Sequence, residues 1–256
     1  MCCFSRPVRR VSETRIFCRN EGAEQLVVYE MSLEADEELA MVLPIPVARD
    51  AGEDAVRFVD LSAVPTFFAQ LEVMFAPPGP ASGAPSRQGG PQTLKVQQVG
   101  AFEASFVPRA DDFDRLDPRF AIPSHVWASV PEVADHGFVV FKLAAPGPKP
   151  GLFAGLLGGA REPKRYHPMG FTYPRRDPDQ LVFPTLHLHD GTVHAEADFD
   201  HVLYAQCAAA PAGWDVGPPS LRARAYGAIL AYLDDAPGYR VTMRGRAPNR
   251  DVAIAA

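Results

Sequence analysis

The chain has 256 residues, 47% of them hydrophobic and 22% charged, with a formal net charge of −6. Its 16 Phe and many Val, Leu and Ala supply a core and exclude a disordered chain, and the acidic balance argues against a nucleic-acid partner, which would select a basic face. Proline, at 26 residues, has about twice its usual share, which shortens helices and favours turns and extended segments.

No apolar stretch approaches the ~18 residues needed to span a membrane, so no membrane partner is expected. No apolar run follows Met1–Arg10, so no signal peptide is read there. The four cysteines, Cys2, Cys3, Cys18 and Cys207, are too sparse for a disulfide framework. A reducing cytoplasm is the expected setting.

In chain order, alternating residues 14–18 and 25–31 predict two strands around Asn20-Glu21-Gly22, a hairpin signal. Residues 39–46 read as a buried strand stopped by prolines. Ser62 and Pro65 predict a helix start, with Phe67, Phe68, Leu71 and Phe75 along one stripe. Residues 77–92 turn to Pro, Gly, Ala, Ser and Gln and read as a flexible insertion. Residues 94–99 and 101–107 read as strands, 111–116 and 124–134 as short helices, and 137–143 as a buried strand. A second Pro/Gly-rich insertion covers 145–163. Strands resume near Phe171 and Leu181, a helix is predicted over 220–233, and a strand over 239–243. This is the pattern of one α+β domain over residues 1–256, built on a mixed, mainly antiparallel sheet with a few helices and two loop insertions.

Four of the seven histidines fall between residues 187 and 201. Asp190-Gly191 separates two alternating runs, and Asp-Gly is the strongest short hairpin signal, because both central residues of a type I′ turn need positive φ. A two-residue turn there pairs His187 with His194 and Thr185 with Glu196. One face then carries Leu186, Leu188, Val193 and Ala195, and the other carries His187, His189, His194 and Glu196. Neutral imidazole is a common ligand for copper and zinc, and a His-x-His pair plus a third His on the neighbouring strand leaves one coordination position open. An exposed polar face with incidental histidines is the plainer alternative. His201 is read as a core or surface residue.

A residue as small as Cys after Met1 allows removal of the initiator, leaving Cys2 with an α-amine and a thiol. The amine could act as base for its own thiol, as in amino-terminal nucleophile hydrolases, or amine and thiolate could bind a soft metal with Cys3 beside them. Residues Met1–Ser5, Val42–Pro46 and Phe183–His194 together resemble a family of uncharacterised bacterial proteins. More loosely, they are similar to a wider domain of unknown function with an early Cys-Cys and an apolar strand ending in Pro-x-Pro. The resemblance covers most of the chain outside the two insertions and implies no activity.

Three readings follow. The first is a metal-binding protein, as a metalloenzyme, with His187, His189 and His194 as ligands to copper or zinc. In it Cys2 is a fourth ligand or nucleophile, Cys3 a possible thiolate, and Glu196 a general base. The second is an amino-terminal cysteine amidohydrolase acting through Cys2 on a small molecule or peptide. The third is a non-catalytic scaffold or interaction module. Substrate, reaction and oligomeric state are not read from this sequence.

Overall fold

The alternation in the first 50 residues becomes a long antiparallel hairpin. In the computed structural model, which describes residues 3–76, 98–99, 102–143 and 164–256, strand β1 is Cys3–Phe4, and β2 (Arg10–Glu21) pairs with β3 (Glu24–Glu34). Gly22 makes the turn at φ 64°, in the left-handed region that favours glycine. The pairing slips between Ser12 and Arg15, where Glu13 takes φ 53°. The remaining strands are β4 (Leu39–Ile45), β5 (Arg57–Val59), β6 (Gln98–Val99), β7 (Phe102–Val107), β8 (Gly137–Leu143), β9 (Lys164–Arg165) and β10 (Met169–Pro174). They continue with β11 (Gln180–Phe183), β12 (Glu196–Gln206), β13 (Asp215–Val216), β14 (Gly238–Pro248) and β15 (Val252–Ala255). Met1, Cys2, the insertions 77–92 and 145–163 and most of the predicted strand 94–99 lie outside the described residues.

Among the described residues the strands form three sheets. A five-stranded sheet has the order β1-β4-β8-β7-β6. An eight-stranded sheet runs β13-β14-β12-β2-β3-β10-β5, with β9 added against β3. A two-stranded sheet joins β11 to β15. The paired strands are antiparallel except β12 with β2, which are parallel. This is the expected α+β class with a mainly antiparallel sheet.

Every residue of β4 is buried, because both faces of its sheet are covered. On one face Met41 and Leu43, with Val139 and Phe141 of β8, pack between the two large sheets against Ile16, Cys18, Val27 and Tyr29. On the other, Val42, Phe138 and Val140 meet Trp127, Phe113 and Val133 from the helical segments 110–133, together with Leu186 and Leu188. A third cluster covers the outer face of the eight-stranded sheet. There Phe17, Val28 and Tyr204 pack under Phe67, Phe68, Leu71 and Met74 of helix α1 (Phe67–Phe75). A second helix, α2 (Ser124–Trp127), is a single turn.

Three local expectations change. Residues 124–134 do not form one helix: α2 ends at Trp127, and a separate 3₁₀ turn covers Pro131–Val133. Ser62 does not cap α1, which starts after Thr66; the Ser62 N–H donates instead to Asp60 Oδ1 at 2.9 Å. Residues 220–233 do not form one helix. They make two 3₁₀ turns, Arg222–Arg224 and Gly227–Tyr232, because Ala225 and Tyr226 between them are extended and Gly227, at φ 71°, opens the second. The Arg222 guanidinium donates to the Leu230 and Leu233 carbonyls at 2.7 and 3.0 Å, closing the turns from inside.

Candidate functional site

Segment 184–188 is held from both sides. On one side, Phe4 N–H donates to the Leu188 carbonyl at 3.1 Å, and Cys3 bridges Leu188 in parallel register. On the other, residues 249–252 latch it through side chains. Asp251 Oδ1 accepts from Thr185 N–H and Leu186 N–H at 2.7 and 2.8 Å. Asn249 Oδ1 accepts from His187 N–H at 2.7 Å, while its Nδ2 donates to the His187 and His194 carbonyls, both at 2.9 Å. Thr185 Oγ1 donates to the Arg250 carbonyl at 2.9 Å and accepts from Val252 N–H at 3.0 Å.

The expected hairpin is therefore absent. Asp190-Gly191 does bend the chain, with Gly191 at φ 83°. Beyond the bend, however, residues 187 and 194 do not pair. Asn249 stands between them and takes both carbonyls. Asp190 also competes locally: its Oδ1 accepts from Thr192 N–H at 3.0 Å, and its Oδ2 lies 3.0 Å from His194 Nε2. His194 is exposed and leaves the predicted ligand set. The strand after the bend is β12, which pairs with β14 and β2 instead.

The third imidazole beside His187 is His201, on β12, which the sequence reading placed in the core or at the surface. Successive β12 side chains alternate faces, so Phe199 and His201 share the face of Leu203 and Ala205, which line the core between the sheets. The His187 ring lies 5.3 Å from His189 and 5.3 Å from His201, and 4.3 Å from Phe199. Phe4 covers His189 at 5.7 Å. The imidazoles thus continue the apolar core to its edge. His187 and His201 are buried, at 7% and 3% exposure.

Burial holds these rings neutral. It lowers His187 to about 2 and His189 to about 4, and pushes His201 far below the ordinary histidine range. His201 Nδ1 accepts from Asp200 N–H at 3.1 Å, which puts the ring proton on Nε2. His187 Nε2 is buried and has no hydrogen-bond partner among the described residues.

The other predicted site residues separate. Cys3 is fully buried in the cluster of Trp127, Phe138 and Leu188. Its Sγ lies 3.8 Å from the Leu186 carbonyl. Phe4, one residue on, faces His189 instead, so Cys3 points away from the imidazoles and is not their thiolate. Glu196 is on the β12 face opposite His201, exposed and 2.8 Å from Arg246 Nε, so it is not placed as their base. Cys2 lies outside the described residues. Among the described residues, no group of three or more His, Cys, Asp or Glu is placed to hold a metal ion.

No protein family and no curated protein matches the chain. Among solved structures it is similar to one titled crystal structure of baculovirus P35, at 10% identity and a TM-score of 0.49, over 100% of this chain and 99% of that one. No described helix is long and apolar enough to cross a membrane.

Proposed function

We propose that the protein binds one copper or zinc ion through the His187 and His189 imidazoles, with Cys2 as the sulfur ligand. The observation that carries this reading is His187 Nε2, a buried ring nitrogen without a hydrogen-bond partner among the described residues, beside a second neutral imidazole. Leaving such an atom unpaired costs about 1–3 kcal/mol, which a ligand bond removes. Two imidazoles on one tetrahedral ion at ~2.0–2.1 Å have ring centres ~5 Å apart, and the 5.3 Å separation of His187 and His189 supports that spacing. Both rings are already neutral, so an ion displaces no proton from them. Asn249 fixes the His187 backbone, and His201 backs its ring.

The test is metal content of tag-free protein after loading with zinc or copper and desalting. Wild type and His194→Ala are expected to retain about one ion per chain. His187→Ala and His189→Ala are expected to lose it while keeping the wild-type circular dichroism spectrum. Cys2→Ser should weaken copper(I) at least ten-fold while leaving some zinc affinity. Equal metal in His187→Ala, or none in wild type, overturns the site; unchanged copper(I) binding in Cys2→Ser removes the sulfur ligand.

A further inference from the structure

Asp190-Gly191 is the only Asp-Gly pair in the chain, which has no Asn-Gly. The hairpin it signals does not form, and the metal reading makes no use of its side chain. The structure nevertheless fixes the Asp190 carboxyl at both oxygens. Oδ1 accepts from Thr192 N–H at 3.0 Å, which folds the carboxyl back over the intervening Gly191 amide. Oδ2 lies 3.0 Å from Nε2 of His194, four residues on. Gly191 takes φ 83°, and the place a Cβ would occupy has no atom within 4 Å beyond its chain neighbours. Asp190, Gly191 and His194 are all exposed, so water reaches the bend.

These groups are the parts of a cyclisation. The carboxyl carbon is an electrophile, and the amide nitrogen of the next residue closes a five-membered ring with it. A side chain on that next residue crowds the attack; glycine has none. Thr192 N–H stands where negative charge forms on Oδ1. His194 Nε2–H stands at hydrogen-bond distance from the oxygen that must leave, as a positioned general acid. We propose that Asp190 is a site of self-modification, where Gly191 N attacks Asp190 Cγ to form a succinimide that water reopens as isoaspartate. In the first step the N–Cγ bond forms and the Cγ–Oδ2 bond breaks. Oδ2 leaves as water, with one proton from the Gly191 amide and one from the His194 imidazolium, which solvent reprotonates. In the second step water adds to the former backbone carbonyl of Asp190, and the bond from that carbon to nitrogen breaks. The main chain then runs through Cγ and is longer by one carbon, while the former backbone carbonyl becomes a free carboxylate. Water is the only co-reactant. The steps use neither the His189 ring nor an ion, so they do not depend on the metal reading.

The test is to keep tag-free, folded protein at neutral pH and body temperature for several weeks. Isoaspartate is then counted by enzymatic methylation of its free carboxyl group and placed by electron-transfer fragmentation. An intact mass lower by one water marks the succinimide. Wild type is expected to gain isoaspartate at residue 190, with no comparable gain at any other Asp. His194→Ala, with the wild-type circular dichroism spectrum, should gain it about ten-fold more slowly, as loss of a positioned acid predicts. Gly191→Ala, which crowds the attacking nitrogen, should slow it at least as much. In urea, where the bend is lost, wild type and His194→Ala should become equal. No isoaspartate at residue 190 in folded wild type overturns the proposal, and so does a folded His194→Ala rate equal to or above that of wild type. The wild-type measurement keeps the site falsifiable even if a variant does not fold.

Discussion

Asn249 holds His187 by two hydrogen bonds, accepting from its N–H at 2.7 Å and donating to its carbonyl at 2.9 Å, as a neighbouring strand would. The same amide also reaches the His194 carbonyl. One side chain therefore does the work of a missing ladder. Asn249→Ala leaves one backbone N–H and two carbonyls unpaired, at about 1–3 kcal/mol for each group that water does not reach. A loss of about 2–4 kcal/mol is expected in urea unfolding. A loss below 1 kcal/mol would show that the segment is held by Asp251 and Thr185 without it.

Acid should destabilise the fold through the imidazoles. Their folded pKa values are depressed, so the folded state binds fewer protons than the unfolded state below pH 6.5. Their contribution is intact above the unfolded value and is lost as pH falls from 6.5 toward the folded values, about 4 for His189 and lower for His187 and His201. Each group adds up to about 1.4 kcal/mol per pH unit in that window, and His189 adds less because it is partly exposed. Asp251, raised to about 6 by burial, acts in the opposite sense and relieves its own penalty as pH falls below 6. Unfolding free energy should thus drop between pH 6.5 and 4.5, with a shallower slope in His201→Gln. An identical slope in that variant would separate the acid response from the histidine group.

Cys3 and the imidazoles should respond independently. Cys3→Ser sets a hydroxyl in an apolar cluster, at a cost of about 1–3 kcal/mol. Metal content should not change. Loss of metal on a Cys3→Ser chain of normal fold would return this thiol to the site.

Gly137 begins β8, where an added Cβ would stand 2.6 Å from the Phe106 ring and 3.0 Å from Val47. Gly137→Ala should cost about 1–3 kcal/mol by overpacking. The double variant Gly137→Ala with Phe106→Leu should recover part of it; no recovery in thermal melts would place the strain elsewhere.

Much of this fold was legible because its signals are local. Residues 39–46 read as a buried strand, observed over Leu39–Ile45, since a strand covered on both faces is apolar throughout. The turn near Gly22 and the strands at Phe171 and Leu181 followed the same logic. The site was harder, for the same reason in reverse. The Asp190-Gly191 signal was real, but hairpin formation depends on what lies beside it, and Asn249 comes from 62 positions away. Pairing His187 with His194 followed a rule about neighbours in sequence; the ring actually beside it, His201, arrives on a strand whose register is set by β2 and β14. His187 and His189 kept their shared face because the two-residue period survives even where no ladder forms. Neither Asn249 nor Asp251 carried any local signal, since an Asn and an Asp near a turn are ordinary.

The clamping of segment 184–188 also has a consequence for the order of events during synthesis. Cys3 and Leu186 are 183 positions apart, and the latch on the far side comes from residues 249–252. A chain emerging from the ribosome can close the β2–β3 hairpin early, because its two strands are adjacent. It cannot seat His187 on both sides until residues 249–252 have been made. A premature stop before residue 249 would leave most of both large sheets encoded, but its histidine segment would be fastened on one side only.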